Sequence, residues 1–380
     1  MIVSVDAIVL FSGGLDSILA AKVLEEQGLE VLCLHCISPF FGSRHSIDRW
    51  KKIYSLNIVS LDVGREFMQM LCRWPAHGFG KVLNPCVDCK ILLLTQAKKY
   101  MDKIGATFLA TGEVLGQRPM SQRRDTLFLI SREANVRDCL LRPLSAQHLP
   151  PTPMEENGLV NRDLLPAIAG RGRSEQLELA TKFKLAEIPT PAGGCKLTEK
   201  ENGRRYWQIL KHYLPDCGVD KQEPPANGAR IIKAHEDFRL SGIGRQMWQN
   251  DYWLCIGRNS CDNDALRANA SKDDILIKLC DFSGPIALAR HGASWPDDIL
   301  ESACAITSAY SPRAASSGGK VRLSLKLGDE YRIIEVFPER KNWHVPEWEE
   351  TKEEIRRRAK EYEQITKLSR NEQRICKESG

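Results

Sequence analysis

Hydrophobic residues fall into two alternating rhythms over the first 110 or so positions. The short apolar runs "VDAIVLF", "LEVLCLHCI", "NIVSLDV" and "ATFLATGE" have the length and texture of buried strands. Between them, "SILAAKVLEEQG", "SRHSIDRWKKIYSL", "GREFMQMLCRW" and "PCVDCKILLLTQAKKYMDKIG" carry the pattern of helices, the first an amphipathic one ending at Gly28. This alternation predicts an α/β fold with a parallel, doubly wound sheet, whose ligands gather at the carboxyl ends of the strands near the topological switch point. From Pro150 to about Gly172 the chain is rich in Pro and Gly, then "SEQLELATKFKL" makes a helix. A glycine turn carrying Cys195 leads into another helix, and "VDKQEPPANGA" (219–229) reads as a linker.

Beyond that linker the texture changes. "ARIIKAHEDFRLSGIGR", "DYWLCIGRN", "DILIKLCDFSGPIALAR" and "VRLSLKLGDEYRIIEVFPE" read as strands, with one helix in "DDILESACAITSAYS". That is a smaller α+β module, followed by a charged helix, "EWEETKEEIRRRAKEYEQITKL", read as a solvated face. The expected segments are 1–187 for the α/β domain, 188–227 for a cysteine-bearing extension and linker, 228–343 for the α+β module and 344–380 for the charged helix.

Composition narrows the chemistry only slightly. A chain of 380 residues with 42% hydrophobic content supports two or three cores. The net charge of +5, from 54 basic and 49 acidic residues, permits a polyanionic partner without establishing one. No signal peptide or membrane-length apolar stretch is visible, so a cytoplasmic location and no membrane partner are expected. Thirteen cysteines in such a chain argue for thiols, metal or catalysis rather than a disulfide framework.

The first strand runs straight into "SGGLDS". Gly13 and Gly14 let the backbone turn tightly and present N–H groups, and the helix that follows adds its positive end, which favours an anion. Ser12 and Ser17 can donate to phosphate oxygens, and Asp16 calls for a divalent cation, Mg²⁺, between it and a phosphate. No lysine is placed to follow a γ-phosphate in transit, so the loop suits pyrophosphate as a leaving group.

The cysteines supply the second constellation. In "NPCVDCK", Cys86 and Cys89 lie on one face of a helix start, with Pro85 at its entry. In "PAGGCKLT", Cys195 follows two glycines that allow close backbone approach. Three thiolates can hold an iron–sulfur cluster with one iron free of protein ligand, or carry a persulfide and resolve it. A structural zinc site completed by Cys72 or His77 is a further alternative. Cys33, Cys139, Cys255, Cys280 and Cys304 read as small buried hydrophobes.

"SGGLDS" resembles the PP-loop of the N-type ATP pyrophosphatases, which implies ATP cleaved to AMP and pyrophosphate with a substrate oxygen adenylated. With the cysteine trio, the chain resembles tRNA sulfurtransferases, and most closely the catalytic half of the 4-thiouridine synthetase (ThiI) family. "TGEVLGQRPMSQ" (111–122) and "LRPL" (141–144) match that family's segments, and "PAGGCKLT" resembles a short, cluster-dependent ThiI-like group. The resemblance covers roughly residues 5–210 and implies an ATP site of Ser12, Gly13, Gly14, Asp16, Ser17, Gly112 and Glu113 with Mg²⁺. It also implies a [4Fe-4S] cluster on Cys86, Cys89 and Cys195. Gln117, Ser121 and Gln122 would line the nucleotide and substrate side, and Lys90 would reach phosphate or RNA or lie on the surface. The family's N-terminal THUMP region and a sulfur-relaying rhodanese domain have no counterpart in the sequence, so the expected sulfur source is sulfide or a carrier protein.

RNA binding is therefore expected from the α+β module, whose motif order resembles the NFACT-R RNA-binding domain. On that resemblance Arg258, Asn259, Arg290, Arg313, Lys320 and Arg322 could meet phosphate and ribose, and Trp253 could stack a base or belong to the core. The expected function is ATP-dependent tRNA thiolation, with an oligomer possible. The alternatives are a persulfide-based sulfurtransferase without a cluster, a small-molecule amidating ligase, and a non-catalytic RNA-binding protein.

Overall fold

The computed structural model describes residues 5–189, 194–214 and 228–378, with side chains described up to residue 364. It divides into two compact units, one of residues 1–199 with 219–231 and one of residues 200–218 with 232–380. The expected extension is thus shared: Cys195 belongs to the first unit and the helix after it to the second.

In the first unit the elements are β1 (Ala7–Leu10), α1 (Leu15–Glu26), β2 (Val31–Ile37), α2 (Ile47–Tyr54), β3 (Ile58–Asp62), α3 (Gly64–Cys72), α4 (Cys86–Ile104), β4 (Phe108–Thr111), α5 (Arg124–Glu133), β5 (Leu140–Leu141), α6 (Pro153–Glu156) and α7 (Ser174–Lys182). The strands form one parallel sheet in the order β3-β2-β1-β4-β5. The chain winds outward from β1 to β3, then returns to place β4 on the other side of β1. That reversal opens a crevice at the carboxyl ends of β1 and β4.

Alternation along β1 shows why the strand is apolar throughout. Ala7 and Val9 pack with α1, while Ile8 packs with Leu94, Ala97 and Met101 of α4. The sequence pattern of α1 reads as amphipathic, yet Leu15, Ser17–Ala21, Val23 and Leu24 are all buried. The helix is enclosed by the sheet, α7 and the turns after β5, so little of its circumference meets water. Burial on this scale stabilises by about 25 cal/mol for each Å² of apolar surface removed from water.

The second unit contains α8 (Lys200–Leu210), most of α9 (Gly228–Leu240), β6 (Arg245–Gln249), β7 (Tyr252–Ile256), α10 (Ser260–Ala268), β8 (Ile275–Leu279), β9 (Ile286–Ala289), α11 (Asp297–Ser308), α12 (Pro312–Ala315), β10 (Val321–Leu327), β11 (Glu330–Val336) and α13 (Trp348–Glu378). Its sheet is antiparallel, in the order β11-β10-β8-β9-β7-β6. Three expectations are corrected here. "ARIIKAHEDFRL" is the helix α9, with Ile231, Ala234 and Phe238 buried at i, i+3 and i+7, a spacing that belongs to a helix. The segment after the "GRN" turn forms α10, capped by the Asn259 side chain. The tail helix is solvated on one side only: Trp348, Thr351 and Ile355 are buried, and Glu354 accepts a hydrogen bond from the Trp207 indole at 2.7 Å. Among the described residues no helix is long and apolar enough to cross a membrane.

Candidate functional site

The turn after β1 is built as a cradle. Gly13 has φ +79, and a Cβ there would lie 2.5 Å from the Trp50 ring, so the position admits only glycine without rearrangement. Gly14 caps α1 without any side-chain cap bond, so no side chain of the cap competes with an anion for the N–H groups of the first turn. Ser12 and Ser17 approach each other, Oγ to Oγ at 3.3 Å, and Ser17 donates to the Gly14 carbonyl at 2.7 Å. His35 steadies the strand end. Its Nδ1 lies 2.9 Å from the Phe11 carbonyl and its Nε2 accepts from Ser43 N–H at 3.0 Å. That pairing assigns the proton to Nδ1, and burial holds the imidazole pKa below 6.5.

The end of β4 presses against this cradle. A Cβ at Gly112 would stand 2.5 Å from the Asp16 carbonyl and 2.6 Å from the Ser17 nitrogen. Asp16 accepts from the Gln117 amide at 3.2 Å through Oδ2, while its Oδ1 is buried without a partner. An orphaned carboxylate oxygen beside a helix start fits Mg²⁺ well, because the cation satisfies the oxygen and offsets its repulsion of phosphate. Ser121 and Gln122 are also buried, and Gln122 Oε1 has no partner.

Glu113, only 2% exposed, follows Gly112. It accepts from Arg142 Nε and from Thr111 Oγ1, each at 3.1 Å, and Lys90 Nζ lies 3.7 Å from its other oxygen. Lys90 and Arg142 outweigh burial and hold the carboxyl below its ordinary range. Arg142 donates further to the Leu127 carbonyl and the Ser131 hydroxyl. Lys90 thus faces Glu113 rather than lying free on the surface. Arg142 was missed as a site residue, although it stands inside the quoted "LRPL".

Lys90 also joins the carboxylate to the thiols. It sits directly after Cys89 on α4, and its charge bears on both Cys89 and Cys36. Burial pushes the Cys89 thiol up, and Cys195, Cys86 and Cys36 push it further. Cys195 rises to about 11 through burial, with Cys86 adding to it and a hydrogen bond from the Leu197 backbone opposing it. Backbone bonds fix the Cys195 segment against both neighbours, Lys196 N–H to the Phe40 carbonyl at 2.9 Å and Leu83 N–H to the Leu197 carbonyl at 3.2 Å. The Asn84 amide lies 3.1 Å from Cys86 Sγ. Of the two glycines before Cys195, Gly193 lies outside the described residues. Cys36, on β2, was not singled out from the sequence because a cysteine inside an apolar strand carries no spacing signal.

Burial and the neighbouring sulfurs thus work against a bare thiolate at Cys89 and at Cys195. A positively charged centre reverses that balance, and two thiols from the start of α4 with a third from the Cys195 segment suit a cluster whose irons each take a different sulfur. Among the described residues no group of three or more His, Cys, Asp or Glu side chains is placed to hold a single metal ion. His77 pairs with Glu133 at 2.9 Å instead of turning to the thiols.

Sequence comparison accounts for both halves. Residues 2–148 match the family model described as "Thiamine biosynthesis protein (ThiI)". The first unit carries a ThiI-type domain. Residues 244–349 match the model described as "NFACT protein RNA binding domain", so a ThiI-type domain is followed by an NFACT-type one. The chain is 25% identical over 246 residues to the tRNA-specific 2-thiouridylase MnmA 2 of Fusobacterium nucleatum, covering 62% of this chain and 66% of that protein. It is 28% identical over 148 residues to the tRNA sulfurtransferase of Desulfurococcus amylolyticus, covering 36% of this chain and 29% of that one. The chain thus spans less than two thirds of either relative.

In the NFACT-type domain the expected RNA residues separate. Arg290 is buried and bound at 2.7 Å to both Asp237 and Asp274, so it has no reach to phosphate. Trp253 is buried and donates to Gln246, as a core residue does. Asn259 caps α10, and Arg258 is engaged by Asp262 at 2.7 Å. Lys320 and Arg322 are exposed on one sheet face, Arg322 pairing with Asp281, and Arg313 is exposed elsewhere.

Proposed function

We propose that the protein is an ATP-dependent tRNA thiolase, which adenylates a uridine carbonyl oxygen and replaces that oxygen by sulfur. One run of neighbours carries the reading: Asp16 and Ser17 against Gly112, Glu113 after it, Lys90 at 3.7 Å from Glu113, and Cys89 next to Lys90 in the chain with Cys195 and Cys86 close enough to bear on it. A nucleotide site and a sulfur site share one crevice. The names of the relatives support the substrate class, and the NFACT-type domain supports RNA as the partner.

In this reading the glycine turn and the first turn of α1 hold the β- and γ-phosphates, with Asp16 Oδ1 as the ligand for Mg²⁺. The uridine carbonyl oxygen attacks the α-phosphorus, and the bond to pyrophosphate breaks. The electron pair of a sulfide donor then forms the C–S bond, the C–O bond breaks with AMP leaving, and the donor's proton goes to solvent. Lys90 and Arg142 keep Glu113 charged, which fixes the end of β4 against the phosphates. The base must leave its stack to expose the carbonyl. Cys86, Cys89 and Cys195 would hold a [4Fe-4S] cluster, which when bound offers an iron free of protein ligand to the sulfur donor.

The protein incubated with α-labelled ATP and tRNA tests the adenylation step. AMP and pyrophosphate appearing only when tRNA is present support it, whereas ADP as the product rejects it.

A further inference from the structure

The outer face of the β10–β11 hairpin is unlike the rest of the second unit. Tyr331, Ile333 and Phe337 are 66%, 60% and 58% exposed. They share one alternation along β11 and its extension, with Glu335 between Ile333 and Phe337, so all three project from one side of the sheet. The cross-strand register, Lys326 with Tyr331, Ser324 with Ile333 and Arg322 with Glu335, puts basic side chains of β10 on that same side. Lys278 of β8 lies opposite Ser324 and extends the row by one strand. Lys326 Nζ stands 5.3 Å from the centre of the Tyr331 ring and Lys320 Nζ 5.9 Å from that of Phe337.

We propose that this face is a stacking platform for single-stranded RNA, with Tyr331 and Phe337 as the base-stacking rings and Lys320, Lys326 and Lys278 as phosphate contacts. Four cations, Lys278, Lys320, Arg322 and Lys326, share the face with two carboxylates, Glu335 and Asp281, and Asp281 is taken up by Arg322. That balance is complementary to a polyanion. An apolar protein partner would bury the lysines that lie over the rings, whereas RNA uses both groups at once, the ring for a base and the ammonium for the adjoining phosphate. Duplex RNA hides its base faces, so the rings select a single strand. The identity of the strand, an unpaired segment of tRNA, rests on the proposed thiolase reading; the platform does not.

The test uses the full chain and a fluorescein-labelled 12-mer of oligouridylate, with a 12-bp RNA duplex beside it. Tyr331→Ala and Phe337→Ala are each expected to weaken oligouridylate about tenfold, leaving the salt dependence unchanged and the duplex nearly unaffected. Lys320→Gln and Lys326→Gln are expected to weaken both ligands and lower the salt slope by about 0.7 per charge for the single strand. The rings are exposed and their removal leaves the core intact, and circular dichroism of each variant verifies the fold. Unchanged affinity in the double ring variant overturns the proposal. So does a double ring variant that binds RNA normally but loses a wild-type dimer in light scattering, which would assign the face to a second copy. Should the wild type make no thionucleoside while the ring variants still lose oligouridylate, the platform stands and the thiolase reading falls.

Discussion

Replacing Arg142 with methionine removes the one guanidinium that holds Glu113 in a buried pair. Arg142 and Glu113 side chains are 7% and 2% exposed, and their bond is 3.1 Å. Methionine fills much of the same volume but leaves the carboxylate with Thr111 and a lysine at 3.7 Å. Breaking a buried pair from one side costs about 3–5 kcal/mol. Lys90 is partly exposed and compensates in part, so a loss of about 3 kcal/mol is expected at pH 7. The sign of the pH dependence is specific. In the wild type Glu113 has a depressed folded pKa, so its contribution is present above the unfolded value of 4.5 and lost as pH falls through the folded one. In R142M only Lys90 and Thr111 oppose burial, so the folded carboxyl takes up a proton more readily than in the wild type, and the difference from wild type shrinks as pH falls from 7 toward 4. Adding Glu113→Gln to R142M should recover about 2 kcal/mol. Hydrogen exchange of the β4 and α5 amides in urea reads the first unit directly. An R142M protein as stable as wild type at pH 7, or a defect that does not diminish in acid, refutes the argument.

Three further outcomes are expected. Gly112→Ala forces the end of β4 away from Asp16 and Ser17, costing about 1–3 kcal/mol, and weakens ATP in isothermal titration by at least about tenfold. Cys86→Ser, Cys89→Ser and Cys195→Ser each stop thionucleoside formation but leave tRNA-dependent AMP release, measured with labelled ATP; loss of both would show that the thiols serve the nucleotide site. His35 is held neutral, so the stability it contributes is present above 6.5 and is lost as pH falls below that value, and His35→Gln should flatten the first unit's urea midpoint between pH 7 and 5.5.

The parallel sheet was legible because strands buried on both faces leave long apolar runs, and "SGGLDS" marked the site because a glycine turn and a helix start must lie together in the chain. Cys86 and Cys89 were legible for the same reason, being one helical turn apart. Arg142 and Cys36 were not: the first takes its role only when the end of β5 meets Glu113 after β4, and the second only when β2 meets Lys90 of α4. Arg290 and Asn259 looked like RNA contacts because a charge or an amide reads the same in sequence whether it is satisfied internally or open to solvent. The structure shows that Asp237, Asp274 and the α10 backbone claim them. The α9 segment was misread because its isolated apolar pairs mimic a strand until the i, i+3, i+7 spacing is counted over its full length.

The central claim, a sulfur site and a pyrophosphate-releasing site acting together on tRNA, is tested most directly by mass spectrometry of nucleosides from tRNA incubated anaerobically with the protein, ATP and sulfide. The account predicts a thiouridine that appears with the wild type and is absent with Asp16→Asn. An unchanged nucleoside profile with the wild type, alongside intact ATP binding, would contradict it.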